Sequence, residues 1–317
     1  MEPTSNSLTF KHISVASDEI IKYIDNRRKG IVKSLKTRWD KLNNVLGGGF
    51  EQNSIITIAG ISGSGKSSFV NSLETDLIDL NPEIDIIILG FSFEMLSSRQ
   101  VGRKLSYKLR KTTQELYTTN IPLSDKDFKL VEEEIKTIRN YPIFHVDNPG
   151  TVDEVKNTIL KFNEMFAKDK WLIITFDHAL LTKQANGEKE RETLVNLERM
   201  FIELKKLNKT TIIQLSQLNR EIEDKDRMSN PSMHFPQRRD LSGSDSLFQA
   251  SDLILVLHRP ELLGIKAYGI NHWPTKDMIY MHCLKVREGE PKILSFINNL
   301  KYNSIEEYSP MVVIPDQ

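Results

Sequence analysis

The sequence predicts an α/β fold with a mostly parallel sheet, and three observations carry that prediction. Short runs rich in Ile, Leu and Val recur from about Ser54 onward: "SIITIAG", "IDIIILGFSF", "PIFHV", "WLIITFD", "TTIIQLS" and "SDLILVLH". They are near-continuous rather than alternating, as strands buried on both faces require. Helical segments lie between them, and the turn "AGISGSGKSS" joins the first run to a helix. Strands alternating with helices build parallel sheets.

The chain opens differently. "SDEIIKYIDNRRKG" reads as a short helix, capped by Ser17 or Asp18, edged by Ile20, Ile21 and Ile24, and ended by Gly30. So short a helix is marginal alone in water and must dock on its own domain or a neighbour's. The following "IVKSLKTRWDKLNNVLGGGF" is basic, then glycine-rich. Residues 1–45 are therefore read as an N-terminal arm and 46–317 as one α/β domain.

Gly60-x-x-x-x-Gly65-Lys66-Ser67 is a complete phosphate loop between a strand and the helix "SSFVNSLETDLIDL". Glycines let backbone N–H groups close around phosphate oxygens, and the following helix turns its positive end toward them. Gly60, Ser62, Gly63, Ser64, Gly65, Lys66, Ser67 and Ser68 form the nucleotide-binding set, with Lys66 on the β- and γ-phosphates and Ser67 on Mg²⁺. A second magnesium-shell group must be an acid at the end of a buried strand. Asp177 and Asp147 both qualify; Asp177 is preferred because its strand is the longer apolar run, whereas Asp147 precedes "NPGT" and suits a helix cap. Glu94 of "GFSFEM" stands just past the second strand, where a carboxylate beside the phosphate-loop strand would face the γ-phosphate. It also suits a cap for the next helix.

Further along, Leu194, Leu197, Phe201 and Leu204 make one helical stripe. "KDMIYMHCLKVREGEPKILSFI" reads as an antiparallel pair around a Glu-Gly turn. Lys285 and Arg287 share one side of an exposed edge strand by their alternation. Arg99, Arg103, Lys104, Lys108, Arg110 and Lys111 form a basic run with the pattern of a solvated or inter-subunit face. His178 has no Cys or His partner at zinc spacing, and adjacent His282 and Cys283 point to opposite faces of a strand.

Bulk composition narrows the partners. Lys+Arg and Asp+Glu are both 43, so no global field steers the chain onto nucleic acid, and any polyanion contact is local. The single cysteine fits a reducing compartment. No apolar run approaches the ~20 residues of a membrane span, and "MEPTSNSLTF" lacks the basic start and apolar core of a signal peptide. The reading is a soluble protein of the cytoplasm, and an Ile-, Asn- and Lys-rich chain suggests a phage-infected or other bacterial host.

The order phosphate loop, "FSFEM", strand ending in Asp, "QLSQLNR", "DLSGSDSLFQASDLILVLHR", "LKVREG" resembles the DnaB-like replicative helicases, over about Arg38 to Phe296. The resemblance implies a RecA-like ring ATPase that uses ATP and Mg²⁺, translocates on single-stranded DNA and unwinds duplex, most simply as a hexamer. It implies that Glu94 is the catalytic base and Gln217 the γ-phosphate sensor. Lys285 and Arg287 become a lysine and an arginine finger reaching the neighbouring subunit's ATP. Channel loops would bring Lys183, Lys189 and Arg191, then Arg220, Arg238, Arg239, Ser242, Gly243 and Ser244, to DNA. The arm resembles the linker helix that docks on the adjacent subunit, and a primase or loader is the further partner. The chain departs from the bacterial pattern at Asp177-His178-Ala179-Leu180, closer to fused phage primase–helicases, and at Ser242–Asp245, where a basic residue is lost and an acid gained. Two other functions share much of this pattern: a RecA-type DNA-dependent ATPase without unwinding, and a helicase-like ATP-binding scaffold.

Overall fold

The computed structural model describes residues 10–177, 181–207 and 209–309. The chain begins with α1 (Ile13–Arg28), α2 (Asp40–Val45), β1 (Ser54–Gly60), α3 (Lys66–Asp79) and β2 (Ile86–Ser92). Three helices follow, α4 (Ser97–Leu109), α5 (Thr113–Tyr117) and α6 (Asp125–Ile138), then β3 (Ile143–Val146), α7 (Val152–Phe162) and β4 (Trp171–Asp177). Next come α8 (Glu190–Leu204), β5 (Thr210–Gln217), α9 (Lys225–Ser229), α10 (Ser244–Ala250) and β6 (Leu253–His258). A small hairpin, β7 (Ala267–Tyr268) and β8 (Trp273–Pro274), precedes β9 (Met278–Val286), β10 (Lys292–Asn299) and β11 (Ser304–Glu307).

Nine strands form one sheet in the order β11-β10-β9-β6-β1-β5-β4-β2-β3. The six from β6 to β3 are parallel, and β9, β10 and β11 extend them antiparallel. Consecutive β1 residues enter opposite cores. Ile55 joins Phe176, Leu197 and Phe201, while Ile56 joins Trp39, Phe69 and Leu73. Apolar side chains on both faces explain the near-continuous runs in the sequence. β3 differs because it ends the sheet: its residues are partly exposed, with Phe144 at 41%.

Several expectations are corrected by this arrangement. β2 does not neighbour β1, since β5 and β4 lie between them. β9 is no edge strand, because β10 and β11 cover its outer side. The first helix starts earlier than expected: His12 caps it by accepting from Ser14 N at 3.2 Å, and Ser17 lies inside it, its hydroxyl donating to Ile13 O at 2.9 Å. The core also reaches back before residue 46. Leu35 pairs with Phe50 through backbone bonds of 2.8 and 2.9 Å. Trp39 stacks on Phe69 with ring centroids 4.6 Å apart, and Leu42 is fully buried. Only α1 behaves as an arm; none of its residues is buried, and Ile20, Ile21 and Ile24 are more than half exposed.

The basic run is not one uniform solvated face: Arg99 and Arg110 are exposed, whereas the others are drawn inward or paired. Lys104 is buried against Glu74 at 2.6 Å. Lys108 pairs with Asp79 at 2.7 Å, Arg110 with Glu306 at 2.8 Å and Lys111 with Asp127 at 3.1 Å. Arg99 lies over the Tyr117 ring. These acids come from α3, α6 and β11, distant in sequence, so nothing local in the run announces them.

Candidate nucleotide site at the carboxyl edge of the sheet

Parallel strands deliver their carboxyl ends to one edge, and the loops leaving that edge build the site. β1 ends at Gly60, paired with Gln217 at the end of β5. A side chain at Gly60 would strike Leu257 O at 2.6 Å, and Gly65 holds φ at +99° with Leu300 2.6 Å from where a Cβ would lie. Those two positions need glycine, for close approach and for a left-handed turn. The turn then feeds α3, whose first residue is Lys66.

Lys66 Nζ donates to Gly60 O at 2.7 Å and Ile61 O at 3.0 Å, so the amine folds over the loop. Burial pushes its ammonium down to about 8, opposed by the charges of Asp177 and Glu94. The buried Ser64 hydroxyl has no hydrogen-bond partner. Ser62 and Gly63 complete the turn, Gly63 at φ +75°. An orphaned buried hydroxyl inside a cradle too narrow for Cβ atoms suits an anion that takes hydrogen bonds from the loop. The Ser68 hydroxyl turns away to Asn303 Oδ1 at 2.9 Å, which leaves that residue only its backbone N–H to offer the site.

Ser67 Oγ donates to Asp177 Oδ2 at 3.3 Å. Two hard oxygen donors beside the phosphate cradle fit Mg²⁺, which takes few protein ligands and completes its shell with phosphate and water. Among the described residues no cluster of three or more His, Cys, Asp or Glu could hold a metal alone. Asp147 is elsewhere, at the end of edge strand β3, where its Oδ2 accepts from Ser97 N at 3.3 Å. It therefore caps α4; α7 is capped instead by Thr151 with Glu154. Glu94 does not cap α4, whose N-cap is Leu96. Glu94 is exposed beyond β2, and its charge acts on Lys66 although two strands intervene between β2 and β1. His178, Ala179 and Leu180 lie outside the described residues.

One group in this neighbourhood was read from the sequence only as a member of the basic run. Arg103 of α4 has a buried Nη1 without a hydrogen-bond partner. Burial lowers its pKa, and Asp177 and Glu94 are the charges that oppose the shift most. Helical spacing carries no signal that Arg103 turns inward toward two acids while its run-mate Arg99 remains exposed.

Gln217 lines a cavity with Lys66, Asp177, Glu198, Ser242 and Gly243. The predicted DNA-contact residues leave the same edge. Lys183, Lys189 and Arg191 follow β4 and are exposed; Lys183 N donates to Gly150 O at 2.9 Å. Arg220, Arg238 and Arg239 follow β5 and are exposed. Arg238 is engaged by Asp245 at 2.8 Å, and Arg239 faces Glu221 at 3.8 Å. The acid at 245 thus offsets the arginine nearest it. Ser242 N is not free for a phosphate, since it donates to Gln217 O at 3.0 Å. Gly243 takes φ +70° before α10, which starts at Ser244.

Lys285 and Arg287 are not brought to this site. Val286 pairs with Leu253, and Leu253 with Ile56. Arg287 N donates to Asp252 O at 3.0 Å, level with Ile55 through Asp252 N to Ile55 O at 2.8 Å. Five residue steps along β1 carry the chain from Ile55 to Gly60, about 17 Å at strand rise. Arg287 therefore occupies the edge opposite the phosphate loop of its own chain, and Lys285, paired with Ile254 and so level with Thr57, lies at mid-strand.

Residues 34–307 match the model of the family described as DnaB-like helicase C-terminal domain. Among curated proteins, the chain is 25% identical over 260 residues to a probable replicative DNA helicase of Trieres chinensis, covering 81% of this chain and 54% of that one. It is 27% identical over 302 residues to the replicative DNA helicase DnaB of Buchnera aphidicola subsp. Baizongia pistaciae, covering 94% and 60%. The chain thus spans little more than half the length of these relatives. Among solved structures, an isolated ATPase domain superposes with a TM-score of 0.79 at 17% identity, over 95% of this chain and 100% of that one. A DnaB-like replicative helicase, solved with its interactions with primase, superposes with a TM-score of 0.75 at 18% identity, over 97% of this chain and 70% of that one. The fold is RecA-like.

Proposed function

The chain belongs to the DnaB-like helicase C-terminal domain family, and from that premise we propose that it is an ATP-dependent replicative DNA helicase. It assembles head to tail into a ring, a hexamer, that translocates on single-stranded DNA and unwinds duplex. A primase or loader completes its set of partners.

Each residue has a task in this reading. Lys66 and the loop N–H groups bind the triphosphate, and Ser67 with Asp177 holds Mg²⁺. The metal supplies charge neutralisation on the phosphates. Glu94 accepts a proton from the attacking water, and Gln217 contacts the γ-phosphate while its carbonyl holds Ser242. Lys285 and Arg287 serve the neighbour's ATP. Lys183, Lys189, Arg191 and Arg220 offer exposed cations to DNA phosphates, with Arg238, Arg239 and the Ser242–Ser244 turn beside them.

One observation supports the ring above the rest: Arg287 sits at the sheet edge opposite its own phosphate loop and Lys285 at mid-strand, out of reach in cis. This pair can reach a phosphate loop only in another copy. The test is the ATPase rate with and without single-stranded DNA, together with unwinding of a forked duplex. Arg287→Ala is expected to lower hydrolysis by about 10³-fold or more while nucleotide binding persists. A full rate from that variant sinks the trans-finger reading. DNA-stimulated hydrolysis without unwinding would favour the RecA-type ATPase, and a DNA-independent rate linear in protein concentration the scaffold.

A further inference from the structure

The residue two positions after α10 gathers several donors. Asp252 Oδ2 accepts from Ile55 N at 2.8 Å, which ties the carboxylate to the start of β1. Lys205 Nζ donates to both of its oxygens, at 3.0 and 2.8 Å. Arg287 places Nε 2.8 Å from Oδ1. Asp252 is 15% exposed and Arg287 52%, so an anchored acid holds the base of a cation whose far end reaches solvent.

Two features separate this from an ordinary ion pair. One carboxylate is shared by two cations, so Asp252 alone cannot neutralise both Lys205 and Arg287. The terminal nitrogens of Arg287 donate no hydrogen bond among the described residues, which leaves that fork available to a planar or tetrahedral oxyanion. Lys285 is held in parallel: its Nζ donates to Phe248 O at 2.6 Å and lies 5.0 Å from the Phe248 ring centroid. Both cations therefore lean on the segment Phe248–Asp252, at the end of α10.

We propose that Asp252 is the positioning residue of Arg287: it fixes the guanidinium by its Nε side so that the free fork meets the phosphoryl group bound by the adjacent copy. This rests on the finger reading of Arg287 given above. An arginine that is preorganised loses less side-chain freedom when it engages the transferring phosphoryl, so the benefit falls on the transition state rather than on nucleotide binding.

The experiment compares the assembled wild-type protein with Arg287→Ala, Asp252→Ala and Asp252→Asn. Affinity is measured for ADP alone and for ADP with aluminium fluoride, a mimic of the transferring phosphoryl. Asp252→Ala is expected to weaken binding of the fluoride complex about tenfold or more, leave ADP affinity within about threefold, and lower kcat with little change in KM. Asp252→Asn keeps an acceptor for Ile55 N but removes the charge facing Arg287, and is expected to show the same selective loss should the alanine variant fail to fold. Wild-type affinity for the fluoride complex in the asparagine variant, or equal losses for ADP and the complex, overturns the proposal. Arg287→Ala separates the two levels. If it loses the fluoride complex while both Asp252 variants keep it, the positioning role falls and the finger stands. If Arg287→Ala itself keeps the complex, the finger falls and takes the positioning role with it.

Discussion

Glu198 is 5% exposed on α8, and its carboxylate accepts from Gln214 Nε2 at 3.1 Å. Burial pushes its carboxyl up from 4.5 to about 7, with only the Gln214 bond opposing. A raised folded-state value means that stability is highest when the group is protonated, and is lost as pH climbs from about 4.5 through 7. Glu198→Gln removes that titration and gives Gln214 Oε1, which has no partner, a donor in reach. The variant is expected to exceed wild type by roughly 3 kcal/mol at pH 8 and to show no such gain at pH 4.5. Denaturant unfolding across that range checks it; a difference independent of pH would show that the carboxyl is already ionised in the fold. Legibility at this scale followed sequence distance. Lys66, Ser67 and Asp177 were readable because a motif and a strand end name them. Asp147 was separable from Asp177 only weakly, since what distinguishes them is the order of strands, an edge position against an interior one. Ser68 looked like part of the loop, and only Asn303, distant along the chain, shows where its hydroxyl goes.

The elements followed the same logic. Five of the six parallel strands were legible because both of their faces are buried, leaving an unbroken apolar record; β3, at the sheet's edge, showed itself only as a short apolar run. α5 and α6 were harder to read: α5 buries no residue, and in α6 the exposed Phe128 and Leu130 blur the stripe that Val131, Ile135 and Ile138 turn inward. β11, four residues ending in two glutamates, has too little sequence to show a period. The segment around α2 was hidden by its own flanks: "KTRWDKLNN" looks polar, yet Trp39 is buried between Phe69 and Phe296 and donates from its indole to Ile305 O at 3.1 Å. Trp39→Ala should cost about 3–5 kcal/mol, as for other large aromatic truncations in cores. A loss under about 1 kcal/mol in urea unfolding would place that segment outside the cooperative unit.

At the scale of the whole molecule, α1 is a helix of about four turns that packs no residue into the core, and its isoleucines face outward. Its burial must come from another copy if it is to contribute stability. Replacing Ile20, Ile21 and Ile24 together with serine is expected to leave the melting temperature of the isolated chain within a degree or two. It should also shift sedimentation from large assemblies toward single chains and remove any rise of specific ATPase activity with concentration. Unchanged assembly would show that α1 is not the fastening.

If Arg287 is the finger proposed above, its separation from the phosphate loop by the length of β1 makes each copy a tile with unlike edges. Contacts between such tiles are heterologous, one face giving and a different face receiving. A row of them leaves one phosphate loop at an end without its cations, and closure alone removes that vacancy. Catalytic completeness would then depend on a global property, whether the row has closed on itself, so an opened ring would carry its own idle site at the gap.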